Sequence, residues 1–198
     1  MSRYPSGLDV AALWITRILN PAVIAVCAFV LLAGLPPAVS WVHWGWAVLL
    51  GPGIPSLYAA VAFSLGHTPS IFISDGRQRT VPLVLAALSC SFGTLYLHGQ
   101  GAPTYVIILM GAYASSAFLA SLITWRWTIS LHVAGAVVPW LVGLVCVGVL
   151  YWALLPVPVI VGWARIRRRE HTTGQILAGS LVGAGSTAVG WSLLRLLG

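Results

Sequence analysis

Apolar residues run along this chain in long unbroken blocks, separated by short polar islands. Blocks near 20 residues with almost no charge inside them predict membrane-crossing helices. Residues 8–18 predict a helix that leads into, or lies beside, a first span ending near Gly34, with Pro36-Pro37 marking a loop. A second span over 41–65 opens with Trp41, Trp44 and Trp46, an interfacial aromatic belt, and its Gly51-Pro52-Gly53-Ile54-Pro55 run should kink or break it. A polar loop over 66–80 precedes spans at 81–98, 104–124, 129–149, 151–166 and 173–196. The pattern predicts an all-α integral membrane protein, a bundle of six or seven transmembrane helices forming one domain over residues 1–198. Six is the count if the first segment lies in the interface or the kinked second one fails to cross. Period-two alternation, which a transmembrane barrel requires, is absent.

Span counting has a geometric consequence. Spans three and four return the chain from residue 80 to the same membrane face at residue 126, and spans five and six return it from residue 128 to residue 168. Three polar islands therefore meet at one face: Ser74 to Pro82, Trp125 to His132 and Arg165 to Gln175. They hold seven of the ten arginines (77, 79, 126, 165, 167, 168 and 169) in a chain that is only 7% charged, so the concentration needs a reason.

Composition sharpens the picture. The chain is 59% hydrophobic with mean hydropathy +0.96, unlike an ordinary soluble domain. All ten basic residues are arginine, and the acids are Asp9, Asp75 and Glu170. The +7 charge lies between apolar helices, which points to anionic head groups or a phosphorylated lipid and away from nucleic acid. Cys27, Cys90 and Cys146 sit in apolar runs and read as small core residues. Asn20-Pro21 interrupts the first apolar stretch, which is therefore read as retained and not as a cleaved signal.

Loop arginines by themselves fix topology under the positive-inside rule, and a lone histidine at a helix start is most often structural. His132 and His171 form a pair, each at the first turn of a span, on the same face, beside arginines. Arginine forks bind phosphate oxygens, one histidine can attack phosphorus, and a second can protonate the leaving oxygen. His43 and His98 belong to the opposite face. His67 and Asp75 lie on the motif face, where Asp75 can pair with an arginine.

Here the residues resemble a known family. The type 2 phosphatidic acid phosphatase superfamily carries Lys-x6-Arg-Pro, Pro-Ser-Gly-His and Ser-Arg-x5-His-x3-Asp. Arg165, five residues, His171, three residues and Gln175 reproduce the third spacing. Ser130 and His132 match the second motif, and Arg79 with Pro82 resembles a loosened first. The likeness covers residues 74–185. Ile129 and Leu131 replace the proline and glycine, Gln175 replaces the aspartate, and there is no lysine. The chain is most similar to a bacterial and archaeal branch, which implies a prokaryotic plasma membrane.

The resemblance implies catalytic roles for His171 (nucleophile), His132 (general acid) and Gln175 (orienting His171), with Arg79, Arg165, Ser130 and Arg77 holding phosphate. It implies a metal-independent lipid phosphate phosphatase that works through a phosphohistidine, with no cofactor and no metal site. Prenyl phosphate or diphosphate, phosphatidate and phosphatidylglycerophosphate all fit as substrates. The alternative is a phosphatase-like protein that binds or transports a lipid phosphate without turnover. A magnesium-dependent prenyltransferase needs clustered carboxylates, and the three acids are widely spaced.

Overall fold

In a computed structural model, the described residues are 6–35, 38–68 and 76–197, with the side chains of residues 33 and 76–78 outside that description. Among them every regular element is helical. The chain opens with α1 (Gly7–Ile18), started by a capping box in which the Asp9 N–H donates to Ser6 Oγ at 3.3 Å and the Ser6 N–H donates to Asp9 Oδ2 at 3.0 Å. Asn20 then caps α2 (Pro21–Ala33), its Oδ1 accepting from the Ala22 and Val23 N–H groups, with Pro21 at the first helical position. The restart bends the axis by 61°.

Next come α3 (Trp41–Val48), a wide π turn over Leu49–Gly53 and α4 (Ile54–Ser64). The proline-glycine run predicted a kink or a break. The structure absorbs Pro52, which has no N–H to give, in that π turn, and the helical run continues to Ser64. The remaining helices are α5 (Gly76–Gly99), α6 (Thr104–Thr124), α7 (Leu131–Cys146), a 3₁₀ segment over Val149–Leu154, α8 (Pro156–Arg167) and α9 (Thr173–Leu197).

Five helical runs are long and apolar enough to cross a membrane, and the bent α1–α2 pair makes a sixth if it is one span. Five or six such runs stand beside the expected six or seven, and the difference lies in α7. The segment expected at 129–149 is a 16-residue helix, about 24 Å long at 1.5 Å per residue, against a hydrocarbon core of about 30 Å. Its N-terminus starts late because residues 127–130 are spent on the second island.

α6 is the axis of the bundle, with Ile108, Leu109 and Met110 fully buried against Phe29, Leu50 and Val142. α9 packs along α6 and α7 through a stripe of small residues, Gly179, Gly183, Ser186 and Gly190, all buried. A Cβ on Gly179 would sit 2.5 Å from the Ser130 carbonyl oxygen, and one on Gly190 would sit 2.6 Å from that of Ile108. The outward faces carry Leu57, Leu88, Phe92, Leu95 and Leu181, all exposed, so the helices are apolar on both sides. The end of α8, the start of α7 and the start of α9 come together at one end of the bundle, with α1 laid against α8.

Candidate active site

The third island is shaped by two local motifs. α8 ends in a Schellman turn: the Glu170 N–H donates to the Arg165 carbonyl at 3.1 Å and the Arg169 N–H to that of Ile166 at 2.9 Å. Arg169 takes the left-handed position, φ 55°, which glycine usually fills. The turn reverses the chain and brings Glu170 and His171 back over Arg165. α9 then starts with a second capping box, Thr172-Thr173-Gly174-Gln175. Thr172 Oγ1 accepts from the Gln175 N–H at 3.3 Å, and Gln175 Oε1 accepts from the Thr172 N–H at 2.9 Å.

That box settles the chemistry of His171. The Thr172 N–H can only donate, so the Gln175 atom facing it is the oxygen, and the Gln175 Nε2 amide donates to Thr128 Oγ1 at 3.0 Å. The same Oε1 lies 3.1 Å from His171 Nδ1, which must therefore carry the ring proton. His171 Nε2 keeps its lone pair and has no hydrogen-bond partner, although the residue is only 7% exposed. Burial, then the neighbouring Arg165 charge, pushes the imidazole down to about 4 from its ordinary 6.5, against the Gln175 hydrogen bond that favours the cation. At neutral pH the ring is neutral.

The second island is fastened to the third. Besides the Gln175–Thr128 bond, the Ser130 N–H donates to the Gln175 carbonyl at 3.2 Å. His132 stands one residue inside α7, and its Nε2 is also buried without a partner. The backbone of Thr16, near the end of α1, faces the His132 ring across the cavity lining.

His132, His171, Arg79 and Arg165 line one cavity of about 840 Å³. Its polar end also holds Thr128, Arg168 and Glu170, and it continues between Leu13, Ala25, Pro52, Ala59, Leu83 and Tyr113, an apolar stretch. Arg165 is 6% exposed and forms an ion pair through Nη1 with Glu170, which also accepts from Arg168 Nε at 2.7 Å. At the rim, Arg167 Nε donates to Asp9 at 2.9 Å and ties α8 to the start of α1. Among the described residues, no three His, Cys, Asp or Glu side chains form a metal-ligating group.

The sequence-predicted residues divide as follows. His171, His132, Arg79 and Arg165 meet. Gln175 stands behind His171 and outside the cavity lining, which suits an orienting role. Ser130 does not reach the cavity. Its side chain is fully buried against Gly179, and its hydroxyl has no partner. From the same island, Thr128 lines the cavity where Ser130 does not. The Arg77 side chain and Asp75 lie outside the described residues. Sequence reasoning missed Thr128 and Thr16, which carry no motif of their own, and the capping box, whose Thr-x-x-Gln signature is legible. Comparison with protein-family models, with curated proteins and with solved structures finds no match.

Proposed function

We propose that this chain is an integral membrane, metal-independent lipid phosphate phosphatase that acts through a phosphohistidine at His171. One observation carries the reading. A histidine locked by Gln175 into the tautomer with a bare Nε2 lines the same cavity as a second histidine and two arginines. A neutral imidazole with a fixed lone pair is a nucleophile, and guanidinium groups beside it hold an anionic electrophile in place.

In the proposed reaction the phosphoryl group sits between Arg79 and Arg165. His171 Nε2 attacks phosphorus, a P–N bond forms, and the P–O ester bond breaks. His132 takes up a proton from solvent as the dianion enters beside it, and gives that proton to the leaving alkoxide. Water then attacks phosphorus, His132 takes its proton, and the P–N bond breaks to release inorganic phosphate. The apolar continuation of the cavity receives the lipid chain. Gln175 supplies orientation without a negative charge, so the imidazolium-like transition state gains less than it would beside a carboxylate.

The test is phosphate release from phosphatidate, prenyl phosphate, prenyl diphosphate and phosphatidylglycerophosphate by detergent-purified protein in EDTA. Hydrolysis of at least one, with acid-labile label retained on His171, is expected. If the wild type binds these lipids but hydrolyses none, and His171→Ala behaves identically, the carrier reading replaces this one.

A further inference from the structure

We propose that Glu170 is a resident counter-ion of Arg165, a built-in competitor that anionic ligands displace on entry and that displaces product phosphate on exit. The inference rests on the phosphate-site reading above. Arg165 is nine-tenths buried, and a guanidinium in that position needs an anion beside it. That anion is Glu170: one carboxylate oxygen pairs with Arg165 Nη1 and the other with Arg168 Nε.

Glu170 satisfies the charge but leaves the site incompletely used. Arg165 Nε is buried without a hydrogen-bond partner, and so is His171 Nε2 next to it. Nε and Nη1 lie on opposite edges of the guanidinium, so a phosphoryl group engages Nε side-on with Nη2, and its added negative charge on the same guanidinium loosens the Glu170 carboxylate from Nη1. The displaced carboxylate has somewhere to go. Its side chain is 29% exposed, and its other partner, Arg168, is 32% exposed, so the Glu170–Arg168 pair can persist at the wet rim. The Schellman turn holds the Glu170 backbone in place throughout, so the carboxylate returns to Arg165 when the ligand leaves.

Such a competitor lowers the affinity of all anions by one common factor and leaves their ranking unchanged. At a membrane surface that is useful. Phosphodiester head groups are abundant, and a buried arginine site without a resident anion would fill with them. With Glu170 in place, only ligands of high intrinsic affinity gain occupancy, and inorganic phosphate does not linger after turnover.

The experiment measures binding of inorganic phosphate, at pH 8 and constant ionic strength, to the full chain in detergent for wild type, Glu170→Gln and Glu170→Asp. Calorimetry or ³¹P line broadening reads the affinity. Both variants should bind phosphate about tenfold more tightly than wild type, the scale of one partly exposed ion pair. Glu170→Asp separates contact from bulk charge. It keeps the charge but draws the carboxylate back by one methylene, which weakens its contact with Arg165. If only Glu170→Gln tightens, the effect is long-range repulsion and the proposal fails. If both variants bind more weakly than wild type, Glu170 serves to hold Arg165 in position, and the proposal fails again. Binding by none of the three proteins overturns the phosphate-site reading itself.

Discussion

At the scale of single residues the candidate site depends on a division of labour between charge and lone pair. Arg165 supplies buried charge, and His171 supplies a nitrogen whose proton has been placed on its far side by Gln175. Substituting each should separate the two functions. His171→Ala is expected to lower lipid phosphate hydrolysis by about a thousandfold or more while phosphate affinity changes less than about threefold. Arg165→Ala should lose binding and turnover together, because the phosphoryl group then has no buried guanidinium beside His171. Titration of the His171 ring by NMR tests the protonation state, free of the substrate phosphate's own ionisation at about pH 6. The ring is held neutral down to about 4, so its signals should keep the neutral-imidazole shifts well below pH 6.5 and move as pH drops through about 4. A titration centred near 6.5 would show that the ring is not held neutral by its surroundings.

At the scale of elements, the site is a junction of helix ends. The start of α7 and the start of α9 are joined by two hydrogen bonds, Gln175 Nε2 to Thr128 Oγ1 and the Ser130 N–H to the Gln175 carbonyl. Their approach is close because Gly179 has no side chain facing Ser130. Gly179→Val should therefore push α7 from α9, separate His132 from His171 and lower hydrolysis by about tenfold or more. Protein stability should fall by about 1–3 kcal/mol, the usual cost of overpacking. Melting temperature and activity measured together check this, and full activity with an unchanged melting temperature would count against the junction. The outer face of α9 gives the control: Leu181→Ala, exposed and outside the cavity, should leave hydrolysis unchanged.

At the scale of the whole molecule, the cavity has a charged end and an apolar body, and the helices around it are apolar outside as well as inside. The apolar body argues for a chain-bearing phosphate. Each methylene buried is worth about 0.8 kcal/mol, so an eight-carbon alkyl phosphate should exceed a two-carbon one in kcat/KM by about a hundredfold or more, even if only part of the chain is held. Equal rates for the two, measured below the critical micelle concentration, would point to a site for soluble phosphates. The bent α1–α2 unit is part of the same design. It closes one side of the cavity with Leu13 and Thr16, sets the Thr16 backbone facing His132, and is pinned to α8 through Asp9 and Arg167.

Much of this was legible in the sequence. Long apolar blocks fixed the helices, because in a nonpolar surrounding each block must satisfy its own backbone hydrogen bonds, and most boundaries fell within a few residues of expectation. Counting helices predicted that the polar islands meet at one end, and His132, His171, Arg79 and Arg165 do share one cavity. The wide turn at Pro52 was less legible, since proline announces a lost hydrogen bond but not whether the helix bends, breaks or widens. Other decisions belonged to tertiary structure alone. Ser130 left the cavity because α9 approaches through Gly179, a contact between residues 49 positions apart. The tautomer of His171 follows from the local Thr172–Gln175 box, but the tie between α9 and the second island needed Thr128, which reaches Gln175 across 47 positions. The role of α1 depended on a bend that sets the Thr16 backbone facing a ring more than a hundred residues away. Local pattern encodes what each segment does with its own backbone. Which polar groups are left over, and what they face, is settled only when the helices pack.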